Sequence, residues 1–155
     1  MKGSTMESTR RTVLRQGSVL ALLASCGVLT LGEALAAEAN GFSAKTLADA
    51  LKALGEKPAD SADIVITSPD IAENGAVVPV AVTSKLPKTQ EICILVEKNP
   101  NPLAAIFTIP EGTDPYVSTR VKMGQSTPVH AVVKADGKLY ATSRETKVTL
   151  GGCGG

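Results

Sequence analysis

The chain has 155 residues, 43% of them hydrophobic, and a formal net charge of +1, which is enough for one compact domain with a core of its own. Aromatic residues make up 3% and tryptophan is absent, which argues against a stacking platform for bases or sugars; the interspersed charges offer no basic face for nucleic acid or a membrane. One histidine and three cysteines without ligand spacing make no metal site, and no phosphate loop, dinucleotide fingerprint or nucleophile elbow is present. No catalytic residue, metal ligand or cofactor is therefore assigned.

In chain order, a targeting segment comes first. Arg10 and Arg11 precede an uncharged apolar stretch from about Gly17 to Leu31, too short to span a bilayer and flanked like a signal peptide. Paired arginines ahead of a mildly apolar run resemble a bacterial twin-arginine signal, a route for cargo that has already folded. Ala34-Leu35-Ala36 would direct cleavage before Ala37, and Ala37-Glu38-Ala39 before Asn40. The first is preferred, giving a signal at 1–36 and a periplasmic destination. Leu23-Ala24-Ser25-Cys26 has the form of a lipid-attachment box, but the apolar run continues beyond Cys26, whereas a lipidated cysteine ends such a run. Removal of 1–36 leaves 119 residues with 12 Lys and Arg against 13 Asp and Glu.

A helix follows. Ser43 is a suitable N-cap, Phe42 and Leu47 stand at staple positions, Leu47, Leu51 and Leu54 share one face, and Gly55 can supply a left-handed C-cap. The remainder reads as short strands. Ile64–Ile66 is an apolar run, and Asn74-Gly75 turns into a Val-rich strand over 76–82. Its Val77-Val78-Pro79-Val80 segment suits an edge, where a missing N–H costs nothing, and an edge suits a heterodimer interface. In 91–96, Cys93 and Leu95 face one way and Ile92, Ile94 and Val96 the other. Asn99-Pro100-Asn101-Pro102 forces a turn before a strand over 104–109. Val117, Thr119, Val121 and Met123 alternate with polar neighbours, as do Val129, Ala131 and Val133. Asp136-Gly137 predicts a hairpin into 138–143, and 147–150 makes a last short strand. About seven strands with regular turns predict a mainly β, immunoglobulin-like β-sandwich over 37–150 with one N-terminal helix.

The chain then ends Gly151-Gly152-Cys153-Gly154-Gly155. Glycine lacks a Cβ, so this peptide is both conformationally free and narrow. The expectation is a flexible arm that carries the Cys153 thiol into channels too tight for bulkier sequences. A plain disordered end, an ordinary disulfide, or a Gly-Gly carrier reacting at its terminal carboxylate are the competing readings of such a tail. The arm holds no Lys, Arg or His to lower the thiol pKa from its usual value near ~8.5, so activation must come from a partner's pocket.

Signal, β domain and terminal pentapeptide together resemble the SoxY family, the sulfur-carrying subunits of bacterial thiosulfate oxidation, over essentially the whole chain. The resemblance implies covalent sulfur attachment at Cys153, with Gly151, Gly152, Gly154 and Gly155 as the arm. It implies a constant partner, SoxZ, and transient partners: the haem enzyme SoxAX, which joins thiosulfate to the thiol; the dimanganese hydrolase SoxB, which releases sulfate; and SoxCD, which oxidises the remaining sulfane sulfur. A carrier of this kind is not itself an enzyme. The alternative is a periplasmic thiol-redox or metal-transfer protein using Cys153. Of the other residues, Cys93 reads as a buried strand residue that could bridge to Cys153 only if the arm folded back. His130 reads as facing outward or toward a partner, and Met123 with His130 makes a poor copper pair.

Overall fold

A computed structural model describes residues 40–55 and 57–150, all within one folded unit. The segment read as a signal, 1–36, and the arm, 151–155, lie outside the described residues.

Helix α1 spans Leu47–Leu54, and its N-cap is Thr46 rather than Ser43. Ser43 falls in a preceding helical turn and donates to the Asn40 carbonyl at 3.1 Å. The choice follows from what lies three residues on. Thr46 Oγ1 accepts the Asp49 N–H at 3.1 Å and donates to the Asp49 carboxylate at 2.7 Å, which satisfies an orphan amide and sets an acid in the first turn. Phe42 is consequently exposed, not stapled to Leu47. Gly55 ends the helix at φ +133°, ψ −132°, outside the expected left-handed region but open only to glycine. A Cβ there would lie 3.2 Å from Leu139 Cδ1. Thr46→Ala is expected to lower unfolding stability by about 1 kcal/mol in urea titration, the usual worth of such a cap.

Nine strands follow among the described residues: β1 (Ala59–Asp60), β2 (Ile64–Thr67), β3 (Ile71–Asn74), β4 (Val78–Ser84), β5 (Thr89–Val96), β6 (Leu103–Thr108), β7 (Tyr116–Val121), β8 (Thr127–Ala135) and β9 (Lys138–Leu150). The larger sheet runs β1-β9-β8-β5-β6, with β3 also paired to β9; the smaller runs β2-β4-β7. Together they form the immunoglobulin-like sandwich. Between the sheets lies the main core, built from inward residues such as Ile64, Val80, Val82, Ile92, Ile94, Val117, Met123, Val129 and Val133. The opposite face of the larger sheet carries a second cluster, in which Cys93, Leu95, Leu103 and Val132 are covered by α1 through Ala50, Leu47, Leu51 and Leu54. Both faces of β5 are therefore buried, as its unbroken apolar run requires.

Three differences from the sequence reading have clear causes. A 3-10 turn, Gly75–Val77, precedes β4, with the Ala76 N–H donating to the Asn74 side-chain oxygen at 2.9 Å. Next, β4 is the central strand of its sheet, but β2 pairs only with Ala81–Ser84, so Pro79 sits where β4 has β7 alone as neighbour. Its missing N–H is tolerated there as at an edge. Last, 138–143 and 147–150 are one thirteen-residue strand. The polar stretch between them is held rather than broken: Thr146, fully buried, shares a 2.9 Å hydrogen bond with Ser68 Oγ, and Arg144 pairs with Asp70 at 2.7 Å.

Candidate functional site at the root of the C-terminal arm

Everything about the arm's starting point is decided by β9. It begins at the Asp136-Gly137 turn, where both residues have positive φ (49° and 75°), the geometry that suits a tight hairpin. From Lys138 to Thr146 it is paired antiparallel to β8. At Thr127↔Thr146 that ladder ends, and the final residues pass to a different neighbour. β3 lies parallel to them with Ile71↔Lys147, Ala72↔Val148 and Asn74↔Leu150.

Hydrogen bonds hold both sides of this last segment. The Lys147 N–H donates to the Asp70 carbonyl at 2.9 Å, and Thr149 Oγ1 donates to the Glu73 carbonyl at 3.1 Å. On the side β8 has vacated, Ser126 Oγ accepts the Val148 N–H at 2.9 Å and donates to its carbonyl at 3.4 Å. One side chain thus stands in for the next residue of a strand. Beside Asn74, the 3-10 turn is tied to the β7–β8 connection by Met123 N–H to the Gly75 carbonyl at 2.7 Å. The chain therefore leaves the domain from a fixed mount. Leu150 (72% exposed), Ile71 (59%) and Val77 (53%) form apolar points around this end of β9.

Cys153 and the four glycines lie outside the described residues, as do Arg10, Arg11 and Cys26. The mount nonetheless limits what Cys153 can reach. Three residues separate it from Leu150, at most roughly 10–11 Å of chain. Cys93 is buried beneath α1, and the register sets Cys93, Val132 and Ala141 in one row across β5, β8 and β9. From Ala141 to Leu150 is 150 − 141 = 9 residues of strand, or about 30 Å. A disulfide requires Cα atoms within about 7 Å, so the Cys93–Cys153 bridge considered from sequence is out of range.

His130 lies on the face of β8 turned away from the main core, as the alternation implies, and is half-buried there. It lies in the row Leu95↔His130↔Ser143, on the α1 side of the larger sheet, and its Nε2 is 2.8 Å from Glu97 Oε2. Met123 is fully buried between the sheets, on the other side of β8 from His130. The two cannot converge on one ion. Among the described residues no group of three His, Cys, Asp or Glu side chains could hold a metal, and no helix is long and apolar enough to cross a membrane.

Sequence reasoning missed β1 and β3, the two parallel partners of β9, and with them the mount. It also missed Ser126, whose role depends on where the β8 ladder stops. The only local signal for β3 was the run Ile71-Ala72 after Pro69-Asp70, and that is too short to separate from a loop.

The family model for the sulfur oxidation protein SoxY matches residues 50–153, a span that includes the arm cysteine. Among solved structures, the sulfur carrier protein SoxY from Chlorobium limicola f thiosulfatophilum is similar with a TM-score of 0.62 and 41% sequence identity, covering 68% of this chain and 97% of that one. A superoxide reductase (neelaredoxin) from Ignicoccus hospitalis is more distant, with a TM-score of 0.49 and 18% identity over 55% of this chain and 79% of that one. No curated protein sequence matches.

Proposed function

Because the chain belongs to the SoxY family of sulfur oxidation proteins, we propose that it is a covalent sulfur carrier of periplasmic thiosulfate oxidation, holding intermediates on Cys153 and presenting them to the other Sox proteins. The observation that supports this best is the pairing of a terminal Gly-Gly-Cys-Gly-Gly with a strand locked at its exit by β3 and Ser126. A carrier needs a fixed base and a slender reach. Fixing the base keeps the search volume of the thiol small, and tethering keeps each intermediate at high effective concentration.

The chemistry is then divided. SoxAX would join thiosulfate oxidatively to the thiol, giving a cysteine S-thiosulfonate. SoxB would hydrolyse off the terminal sulfonate as sulfate, and SoxCD would oxidise the sulfane sulfur that remains. This chain would contribute the nucleophile and its delivery. SoxZ would be the constant partner, and the exposed Ile71, Val77 and Leu150 offer apolar contacts beside the arm. Export in the folded state, by way of Arg10 and Arg11, fits a protein that leaves with a partner attached.

Intact-mass measurement on protein purified from thiosulfate-grown cells tests the reading. Additions matching sulfur or thiosulfate, removed by reductant and missing from Cys153→Ser, are expected. An unadorned chain under those conditions, or the same additions on Cys153→Ser, would overturn it.

A further inference from the structure

Between β6, the last strand of the larger sheet, and β7, the last of the smaller, is a groove of about 270 Å³. β6 forms one wall with Ala104 and Ala105; β7 and the residue after it form the other with Thr119, Arg120 and Lys122. Small side chains on the β6 wall leave the space empty. None of the lining side chains is acidic, and among the described residues neither Arg120 nor Lys122 has a carboxylate within ion-pair range.

The backbone here is held firmly. Asn99 closes one end, its amide donating to the Lys122 carbonyl at 2.7 Å and its oxygen accepting the Gly124 N–H at 3.3 Å. Asn101 is fixed in turn by donating to the Phe42 carbonyl at 2.7 Å and accepting from Lys45 at 3.1 Å. Two cations therefore stand on a rigid frame with their charges unanswered. A planar, forked guanidinium and a compact ammonium suit a tetrahedral oxyanion with several acceptor oxygens.

The groove is also connected to the arm. Leu150 pairs with Asn74, Gly75 follows it, the Gly75 carbonyl accepts from Met123, and Lys122 is next in sequence. Along that path the Leu150 and Lys122 Cα atoms are no more than roughly 18 Å apart. The arm spans at most about 10 Å of this, and an extended lysine side chain together with a group carried on the cysteine is long enough to bridge the rest. A bare thiol offers the groove nothing. A cysteine S-thiosulfonate ends in a sulfonate of charge −1.

We propose that Arg120 and Lys122 form a charge-selective rest for the loaded arm, binding the sulfonate end of a Cys153 adduct and not the empty thiol. This rests on the carrier reading above and extends it to how a loaded arm differs from an unloaded one. Loss of the terminal sulfonate removes the ligand, so the arm is released when its cargo is shortened.

The test uses the full chain carrying one of two adducts. With tetrathionate, the Cys153 thiolate attacks a central sulfur, forming the S–S bond of the thiosulfonate and expelling thiosulfate; the protein sulfur is oxidised as the tetrathionate S–S bond is reduced. With methyl methanethiosulfonate, the same attack gives a neutral methyl disulfide and expels methanesulfinate. Intact mass confirms each adduct, and amide and guanidinium resonances are then compared. Shifts across 119–123 and at the Arg120 side chain are expected for the anionic adduct only. They should collapse in 1 M salt, where the screening length is about 3 Å, and be lost in Arg120→Gln/Lys122→Gln. Equal shifts for both adducts, no shifts for either, or shifts that survive the double substitution would overturn the proposal. None of those results touches the carrier reading, which is decided by the cargo recovered from cells.

Discussion

Deleting Gly151 and Gly152 together is expected to lower thiosulfate turnover by about 100-fold, the penalty typical of a reacting group displaced from its productive position, with thermal unfolding unchanged. The argument is geometric. Leu150 is bound to Asn74 through the β3 ladder, and the preceding residues are held by Ser126 and Asp70, so the mount cannot advance to compensate. Removing two of the three steps between Leu150 and Cys153 cuts the reach from roughly 10–11 Å to about 4 Å. The thiol would then sit among Leu150, Val77 and the domain surface instead of inside a partner enzyme. The buried apolar residues lie between 44 and 135, and the buried Thr146 also precedes the deleted pair, so the fold should be indifferent. Steady-state assay with the partner enzymes, alongside calorimetry, checks both halves. Wild-type turnover from the shortened chain would show that reach is not limiting.

Ile94→Ala is expected to cost about 3–4 kcal/mol, within the range for truncating a fully buried aliphatic side chain. Ile94 is 0% exposed and lies in the main core between the sheets. It stands mid-strand, paired on one side with Ala105 and on the other with Ala131. Those small neighbours cannot move in to fill the gap, so relaxation is limited and the cavity persists. For a domain of this size, the loss corresponds to a fall in Tm of roughly 15–25 °C, a large share of a typical stability of 5–15 kcal/mol. Calorimetry on the purified variant measures it. A drop of only a few degrees would mean that the core repacks around the alanine. Because the arm lies well away in sequence, loaded variant that remains folded should still carry sulfur.

Much of the fold was legible because the strands carry clean periodicities. The opposite facing of Cys93 and Leu95 against Ile92 and Ile94 follows from period-two alternation, and the structure separates them into the two clusters that this implies. The Asp136-Gly137 hairpin was equally plain, since few dipeptides tolerate two positive φ values. The helix start was less so: Ser43 and Thr46 are both good caps, and the decision came from Asp49, a residue inside the helix. The two halves of β9 looked separate because Ser143, Arg144, Glu145 and Thr146 are polar. What joins them, Ser68 and Asp70, lies more than seventy positions earlier in the chain. β1 and β3 were invisible for the same reason, being too short to have a period.

The site divides the same way. The proposal for Cys153 and its glycines rests on five adjacent letters of sequence, which lie outside the described residues. Where the chain leaves the described domain, and the path that links that point to Lys122, depend on pairings between the segments around 74, 123 and 150. No local pattern records those pairings.

The continuous course of β9 also bears on mechanical load. If the proposed carrier's tail is drawn into a partner's pocket, it is tugged when the two separate, and the pull is passed straight down the strand axis. Its hydrogen bonds to β8, β3 and β1 run across that axis, so the force is spread over many bonds in shear rather than parting them singly like a zip. Repeated tugging at the tip would thus leave the anchoring end unfrayed.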